Sequence, residues 1–159
     1  NEFSTFAKMP NPSEERLELI SLVKRVKEVF TVDDGPEITV HSDEDEFFIK
    51  ADKDQIIRVF NNLIKNATQA IPQDQEGNIK IDLKMESSTV LVTITDNGVG
   101  IEKSKLGKIF VPYFTTKSNG TGLGLAMVKQ IVENHHGSID FDTVEGKGTT
   151  FFIKLPLTL

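Results

Sequence analysis

Two asparagines with helical spacing are the first residues of this sequence that could bind a metal ion. Asn62 and Asn66 lie within residues 54–71, where apolar side chains recur at intervals of three and four and predict an amphipathic helix. Both amides project from one side of that helix, beside its apolar stripe. An amide oxygen can complete the shell of a Mg²⁺ ion that is otherwise held by phosphate oxygens and water. The alternative interpretation is a pair of surface amides.

A glycine-rich segment, GTGLGL at 120–125, is a candidate phosphate site. Gly120, Gly122 and Gly124 stand at the entry to a predicted helix, where free backbone N–H groups and the helix dipole favour an anion. The dinucleotide-binding fingerprint is excluded because it requires Gly where Leu125 stands, and the P-loop is excluded because it requires Gly-Lys-Ser/Thr here. The motifs of protein kinases are absent as well. A structural cap or a hinge remains the alternative.

The segment DNGVG at 96–100 follows a predicted strand, but helical spacing follows it, so it lacks the second arm of a β-hairpin. Asp96 could present its carboxylate to an exocyclic amine such as that of adenine. Gly98 and Gly100 would let the backbone approach a flat ring closely. The segment GKGT at 146–149 repeats the combination of glycines and a hydroxyl, although ordinary hairpin geometry explains it equally well.

The elements that must position these residues are helices, each followed by two strands. A first helix is predicted over residues 13–30, with Ser13 as its N-cap. Periodicity and turn residues predict the rest of the chain as follows: strands at 37–41 and 47–51, the helix at 54–71, strands at 78–85 and 89–95, an irregular segment at 102–121, a helix at 123–136 capped by Gly137, and strands at 138–144 and 149–155.

Composition excludes several classes of function. The chain has 159 residues, 38% of them hydrophobic, which predicts one globular domain. A net charge of −6 argues against a nucleic acid partner, and the absence of Cys excludes disulfides and thiolate chemistry. No apolar run is long enough to span a membrane, so we expect no direct membrane insertion by this sequence. Because it begins without Met, we expect a fragment of a longer protein.

In this order, the motifs resemble those of sensor histidine kinases, in the GHKL superfamily that includes gyrase and the mismatch-repair ATPase. The similar segments are NNLIKNA at 61–67 (N box), DNGVG (G1 box), IFVPYFTTK at 109–117 (F box), GTGLGL (G2 box) and GKGT (a final Gly-Thr box). The first residues resemble kinases of the nitrogen-regulation type. The resemblance implies that residues 1–36 are the end of a dimerisation helix and a connector helix, and that residues 37–159 are the catalytic ATP-binding domain.

The resemblance also implies a fold and a set of ligands. The fold would be α+β, a two-layer α/β sandwich of the Bergerat type with a mixed, mainly antiparallel sheet packed on helices. The ligands would be ATP and Mg²⁺, with Asn66 as metal ligand, Asn62 in support and Asp96 on the adenine amine. Residues 107–121 would form a lid anchored by Phe110 and Phe114, unless either is simply a core residue. The residues implied in nucleotide binding are Asn66, Asp96, Gly98, Gly100, Ile101, Phe110, Thr116, Lys117, Gly120, Thr121, Gly122, Leu123, Gly124, Leu125 and Thr149; those implied in catalysis are Asn62, Asn66 and Lys117, which would meet the terminal phosphates.

A phosphoryl acceptor is missing from this set. His41 lies in a predicted strand, and His135 and His136 lie in a last helical turn, so we expect structural roles for all three. The family's acceptor stands in a His-Glu-type box that this sequence lacks. The implied partners are therefore a dimerisation and phosphoacceptor domain of the same kinase and a response regulator receiver domain. The implied location is the bacterial cytoplasm, with the full-length protein either free or membrane-anchored, and we expect this fragment to be a monomer.

Two other functions remain open, an autonomous GHKL-type ATPase and a nucleotide-sensing module without transfer activity. In the related ATPases a Glu one turn before the metal-binding Asn polarises water, but here that position is Asn62. An amide cannot accept a proton as a carboxylate can, so we expect slow ATP hydrolysis.

Overall fold

The computed structural model describes residues 10–114 and 124–158. Pairs of consecutive strands separate the helices, as the sequence predicts, and one further strand precedes the first helix. Their order is β1 (Glu15–Glu18), α1 (Leu19–Phe30), β2 (Glu37–Ser42), β3 (Phe48–Ala51), α2 (Lys53–Ala70), β4 (Asn78–Glu86), β5 (Thr89–Asp96), a short 3₁₀ helix (Lys103–Lys108), α3 (Gly124–Asn134), β6 (Ser138–Val144) and β7 (Gly148–Pro156).

Five strands form one mixed sheet in the order β2-β4-β5-β7-β6. Only the pairing of β2 with β4 is parallel, and the other three pairings are antiparallel. In β5, Val90, Val92 and Ile94 are buried while the residues between them are only partly covered. This alternation gives the sheet one apolar face, which packs on the helices. The predicted two-layer α+β fold, with a mainly antiparallel sheet, is confirmed.

The helix α2 lies at the centre of the helical layer, packed against α1, α3 and β5. Its N-cap is Asp52, whose carboxylate accepts a hydrogen bond from the Gln55 N–H at 3.1 Å. Ile56, Phe60 and Leu63 are almost fully buried along one stripe, as the periodicity predicts. The helix therefore holds its polar side, with Asn62 and Asn66, at a fixed angle to the core.

The first predicted helix is wrong in its N-terminal part. Residues Glu15–Glu18 form β1, which pairs with β3 and buries Leu17, and α1 begins only at Leu19. Glu18 is the N-cap in place of Ser13, whose N–H instead donates to Asp52 at 2.8 Å. The strand forms because β3 offers an edge for pairing, a partner that the local pattern does not reveal.

The segment before β2 packs on the same core as the rest of the described chain. Leu17, Leu19 and Val23 are buried in the same hydrophobic cluster as the residues of α2 and the sheet. The expected assignment of residues 1–36 to a dimerisation helix and connector stays a prediction. Within the described ranges, no helix is long and apolar enough to cross a membrane.

The end of α3 differs from the expected cap. His136 adopts a φ of +63°, so the left-handed residue after the helix is a histidine and not Gly137. Gly137 is needed for a different reason, because a Cβ atom there would lie 3.0 Å from Leu155 Cδ2 and even closer to the Lys154 carbonyl. The glycine lets the chain turn tightly against β7.

Candidate functional site

Three polar side chains form a row across the inner, otherwise apolar, face of the sheet. Asp96 at the end of β5 is paired with Thr149 at the start of β7, and Thr149 is paired with Thr143 on β6. Asp96 and Thr149 are only 7% and 6% exposed. Buried polar groups at the end of a sheet require partners, and such clusters mark candidate binding sites.

The carboxylate of Asp96 is held by the backbone around it. It accepts a hydrogen bond from the Gly98 N–H at 2.8 Å. Burial raises the pKa of Asp96 above its ordinary value, while hydrogen bonds from the backbone N–H groups of Gly98 and Thr149 act in the opposite direction. A desolvated carboxylate with a fixed orientation is well suited to accept hydrogen bonds from a buried amine.

The loop at 96–100 is tied to three neighbouring segments. The Val99 N–H donates to the Ala70 carbonyl at the end of α2, and the Val99 carbonyl accepts from the Gly146 N–H, at 2.9 and 2.7 Å. Asn97 joins the loop to the start of β4, because its Oδ1 accepts from the Asn78 N–H at 2.8 Å. The loop is therefore held between α2 and the β6–β7 turn.

The two glycines of this loop are required by contacts within the protein. A Cβ atom on Gly98 would lie 2.6 Å from the carbonyl carbon of Ala70. Gly100 has a φ of +73°, and a Cβ atom there would lie 2.9 Å from Glu145 Cα. Backbone packing thus explains both positions, and their expected role in admitting a flat ring stays a prediction.

The amides of α2 lie between the loop at 96–100, called the Asp96 loop below, and the start of α3. Asn62 and Asn66 are half-buried, beside the core and not in it, as the sequence predicts. The Asn62 Nδ2 donates to the Arg58 carbonyl at 2.8 Å, and its Oδ1 faces Gly124, where a Cβ atom would lie 2.8 Å from that oxygen. Asn66 follows one turn later on the same side, towards Ala70 and the Asp96 loop.

The described residues contain no group of three or more His, Cys, Asp or Glu side chains that could hold a metal ion. A cation beside the two amides would therefore have to take most of its ligands from phosphate oxygens and water. Mg²⁺ is the ion that commonly binds in this way, with one or two protein ligands. The donor set fits the expected metal in this respect.

The remaining predicted site residues fall into two groups. Gly124 begins α3, Leu125 packs partly buried against the core, and the N–H of Ile101 donates to Thr143 Oγ1 at 3.0 Å. The residues that lie outside the described ranges are Thr116, Lys117, Gly120, Thr121, Gly122 and Leu123.

Phe110 joins an aromatic cluster on the sheet. Its ring centroid lies 5.9 Å from that of Phe141 and 6.5 Å from that of Phe151, in edge-to-face geometry. The ammonium group of Lys129 on α3 lies 5.2 Å from the Phe110 ring centroid. These contacts support the core alternative for Phe110, and its expected role as a lid anchor, like that of Phe114, stays a prediction.

His135 has a structural role, as expected. It is 4% exposed; its Nδ1 lies 2.8 Å from the Ile131 carbonyl, and its Nε2 accepts from the Asp52 N–H at 3.1 Å. The Ile131 carbonyl requires a proton on Nδ1 and the Asp52 N–H requires a lone pair on Nε2, so the ring in this arrangement is the neutral Nδ1–H tautomer and joins the end of α3 to the N-cap of α2. Both ring nitrogens are occupied, which leaves no nucleophile at this position.

Sequence reasoning missed Thr143. Its hydroxyl contacts Ile101, Gly148 and Thr149, so it joins the Asp96 loop to the β6–β7 turn. The available signal was the alternation of β6, in which Ile139, Phe141 and Thr143 share the inner face.

Comparisons with known proteins give the family and the fold that this chain is similar to. The family model described as histidine kinase-, DNA gyrase B-, and HSP90-like ATPase matches residues 51–159. The sensor histidine kinase ZraS of Salmonella typhimurium is 49% identical over 111 residues, which are 69% of this chain and 23% of that protein. A putative sensor histidine kinase of Rickettsia typhi, described as NtrY-like, is 37% identical over 158 residues, which are 99% of this chain and 26% of that protein. The chain thus spans about a quarter of the length of these relatives.

Solved structures share the fold over nearly all of the chain. The catalytic domain of the histidine kinase ThkA, in a nucleotide-free form, superposes with a TM-score of 0.81 at 30% identity and covers 91% of this chain and 95% of that domain. Full-length ShkA in complex with AMPPNP has a TM-score of 0.86 at 21% identity, covering 99% of this chain and 35% of that one, which shows the fold alone.

Proposed function

Because this chain belongs to the family of histidine kinase-, DNA gyrase B- and HSP90-like ATPases, and shares the fold of histidine kinase catalytic domains, we propose that it binds Mg²⁺-ATP and transfers the γ-phosphate to a histidine on another domain. The observation that carries this proposal is the buried carboxylate of Asp96, which is fixed at the end of β5 by two backbone N–H groups.

In this proposal Asp96 accepts a hydrogen bond from the adenine amine, and Thr149 supports it from the neighbouring strand. Asn66, assisted by Asn62, holds Mg²⁺, which when bound neutralises charge on the phosphate oxygens. Lys117 and the glycines at 120–124 complete the phosphate site. Phosphoryl transfer depends mainly on positioning and charge neutralisation, which amides, a lysine and helix N–H groups supply without covalent chemistry.

The acceptor in this proposal lies outside this chain. Both ring nitrogens of His135 are engaged, His41 lies on β2, and His136 is the left-handed residue that ends α3, so the proposal assigns none of them as the acceptor. The partners are therefore a dimerisation and phosphoacceptor domain and, downstream, a response regulator receiver domain. Since ATP is the substrate and the named relatives are bacterial, the proposed activity belongs in a bacterial cytoplasm.

Rapid hydrolysis is a weaker candidate for this site. Asn62 occupies the position one turn before Asn66, and an amide cannot serve as a general base for water. Turnover of ATP by the chain alone at about 1 s⁻¹, an ordinary enzymatic rate, would contradict the proposal.

Calorimetric titration of Mg²⁺-ATP into the wild type and into Asp96→Asn tests the proposed hydrogen bond between the adenine amine and Asp96. The substitution keeps the side-chain shape and removes the charge, so binding should weaken by roughly 10–100-fold. Asp142→Asn is the matched control, because Asp142 lies exposed on the other face of β6, and it should bind like the wild type. Equal binding by wild type and Asp96→Asn would mean that nucleotide is held elsewhere.

A second assay tests transfer itself. The chain is mixed with radiolabelled ATP and a dimerisation domain that carries an acceptor histidine. Label should appear on that domain as an acid-labile phosphohistidine. A chain that binds ATP normally and never labels the domain would instead be a nucleotide-sensing module.

A further inference from the structure

The hydroxyl of Thr143 makes three hydrogen bonds, at the junction of the Asp96 loop, β6 and β7. The Ile101 N–H lies 3.0 Å from its oxygen, the Gly148 carbonyl 3.1 Å and the Thr149 hydroxyl 2.8 Å. The side chain is half-buried, directly across from Thr149 in the sheet.

The direction of these hydrogen bonds follows from the single proton that each hydroxyl can donate. A threonine hydroxyl has one proton to donate and two lone pairs that accept. The Gly148 carbonyl can only accept, so it takes the Thr143 proton, and the Ile101 N–H can only donate, so it uses one lone pair. The second lone pair is left for the Thr149 hydroxyl, which must then donate its own proton to Thr143. All three sites of Thr143 are satisfied in this arrangement.

We propose that Thr143 is a positioning residue that determines nucleotide specificity. It fixes the Thr149 hydroxyl as a hydrogen-bond acceptor beside Asp96. The site therefore favours a purine with a 6-amino group over one with a 6-oxo group. This inference rests on the proposed binding of ATP by the same site. Thr143 itself touches no ligand and acts through Thr149.

This orientation of the Thr149 hydroxyl determines which group at position 6 of a purine the site can accept. Asp96 and Thr149 are opposite one another on neighbouring strands, where side chains lie about 5 Å apart. With the Thr149 proton turned towards Thr143, both groups offer only lone pairs. An exocyclic amine can donate to their remaining lone pairs, whereas a carbonyl at the same position offers no proton and places a third acceptor beside two others. Sites that hydrogen-bond a donor reject analogues that lack it.

The experiment compares Mg²⁺-ATP with Mg²⁺-ITP, whose base carries a carbonyl in place of the amine. Dissociation constants for both are measured by calorimetry on the wild type, Thr143→Val, Thr143→Ser and Thr150→Val. Thr150 is a matched control, because its hydroxyl lies 3.0 Å from that of Thr95 in a similar cross-strand pair on the other face of the sheet.

In Thr143→Val the Thr149 hydroxyl loses its acceptor and becomes free to donate to a 6-oxo group. The preference for ATP over ITP should therefore fall by about tenfold. Thr143→Ser keeps the hydroxyl and should keep the preference, as should Thr150→Val. The ratio of the two dissociation constants is the decisive readout, because general damage to the loop weakens both nucleotides together.

An unchanged ratio in Thr143→Val, or a wild type that binds ITP as tightly as ATP, would overturn the inference and leave ATP binding intact. A wild type that binds neither nucleotide would overturn the proposed function and the inference with it. Thermal unfolding checks that each variant is folded. If Thr143→Val does not fold, Thr143→Ala removes the same hydroxyl with a smaller side chain, and the same loss of preference is expected.

Discussion

Replacing Gly98 with Ala should detach the loop at 96–100 from the end of α2. The new Cβ atom would lie 2.6 Å from the Ala70 carbonyl carbon and 2.8 Å from its Cβ atom. Carbon atoms pack at about 3.5–4.0 Å, so the loop has to move by about 1 Å. Such a movement would break the hydrogen bond from the Val99 N–H to the Ala70 carbonyl, now 2.9 Å long.

The cost follows from these contacts. Overpacking costs about 1–3 kcal/mol of stability and the lost hydrogen bond about 1 kcal/mol. Alanine also reduces the conformational entropy of the unfolded chain, which stabilises the folded protein by about 0.4–1 kcal/mol. The free energy of unfolding should therefore fall by roughly 1–4 kcal/mol. Urea denaturation measures this change, and titration with Mg²⁺-ATP should show weaker binding, because Asp96 accepts from the N–H of the same residue.

The matched control is Gly107→Ala in the 3₁₀ helix, where an added Cβ atom would meet nothing within 4 Å. Its free energy of unfolding should stay within about 0.5 kcal/mol of the wild type, and its affinity for nucleotide should not change. If Gly98→Ala is as stable as Gly107→Ala and binds as well, then the loop does not depend on its contact with α2 and the steric argument is wrong.

Glu18→Gln should lower the free energy of unfolding by about 1–2 kcal/mol at neutral pH, because its carboxylate accepts from the N–H groups of Ile20, Ser21 and Phe47. Burial raises the pKa of Glu18, but these bonds lower it overall. The free energies of unfolding of the wild type and Glu18→Gln, measured by urea denaturation, should therefore converge as pH falls through the lowered pKa of Glu18. For Asp96, burial raises the pKa, so the wild type should lose stability relative to Asp96→Asn as pH rises from the ordinary Asp pKa through the raised value; parallel profiles would contradict this.

Local patterns were sufficient for most of the secondary structure. Alternation predicts β4 and β5, and periodicity predicts α2 within a residue or two of its ends. These signals are local because each side chain reports whether its own position faces the core. The prediction was wrong at residues 15–18, where pairing with β3 outweighs a helical pattern.

The site was only partly visible in the sequence. Asp96 stands at the end of an alternating strand, so a buried carboxylate there could be predicted, and the Asn62–Asn66 pair could be placed beside the core of its helix. The alternation of β6 could place Thr143 on the inner face, but its role could not be identified, because its partners Ile101 and Thr149 approach it only when β7 lies between β5 and β6.

By itself the sequence determined the order of the elements, the apolar face of each and the residue types that could meet a nucleotide. The tertiary structure decided which of those residues meet. It placed Asp96, Thr149 and Thr143 in one row across three strands, and it set the Asp96 loop against the end of α2. Strand order and packing are sums of many contacts between distant segments, and no local pattern encodes them.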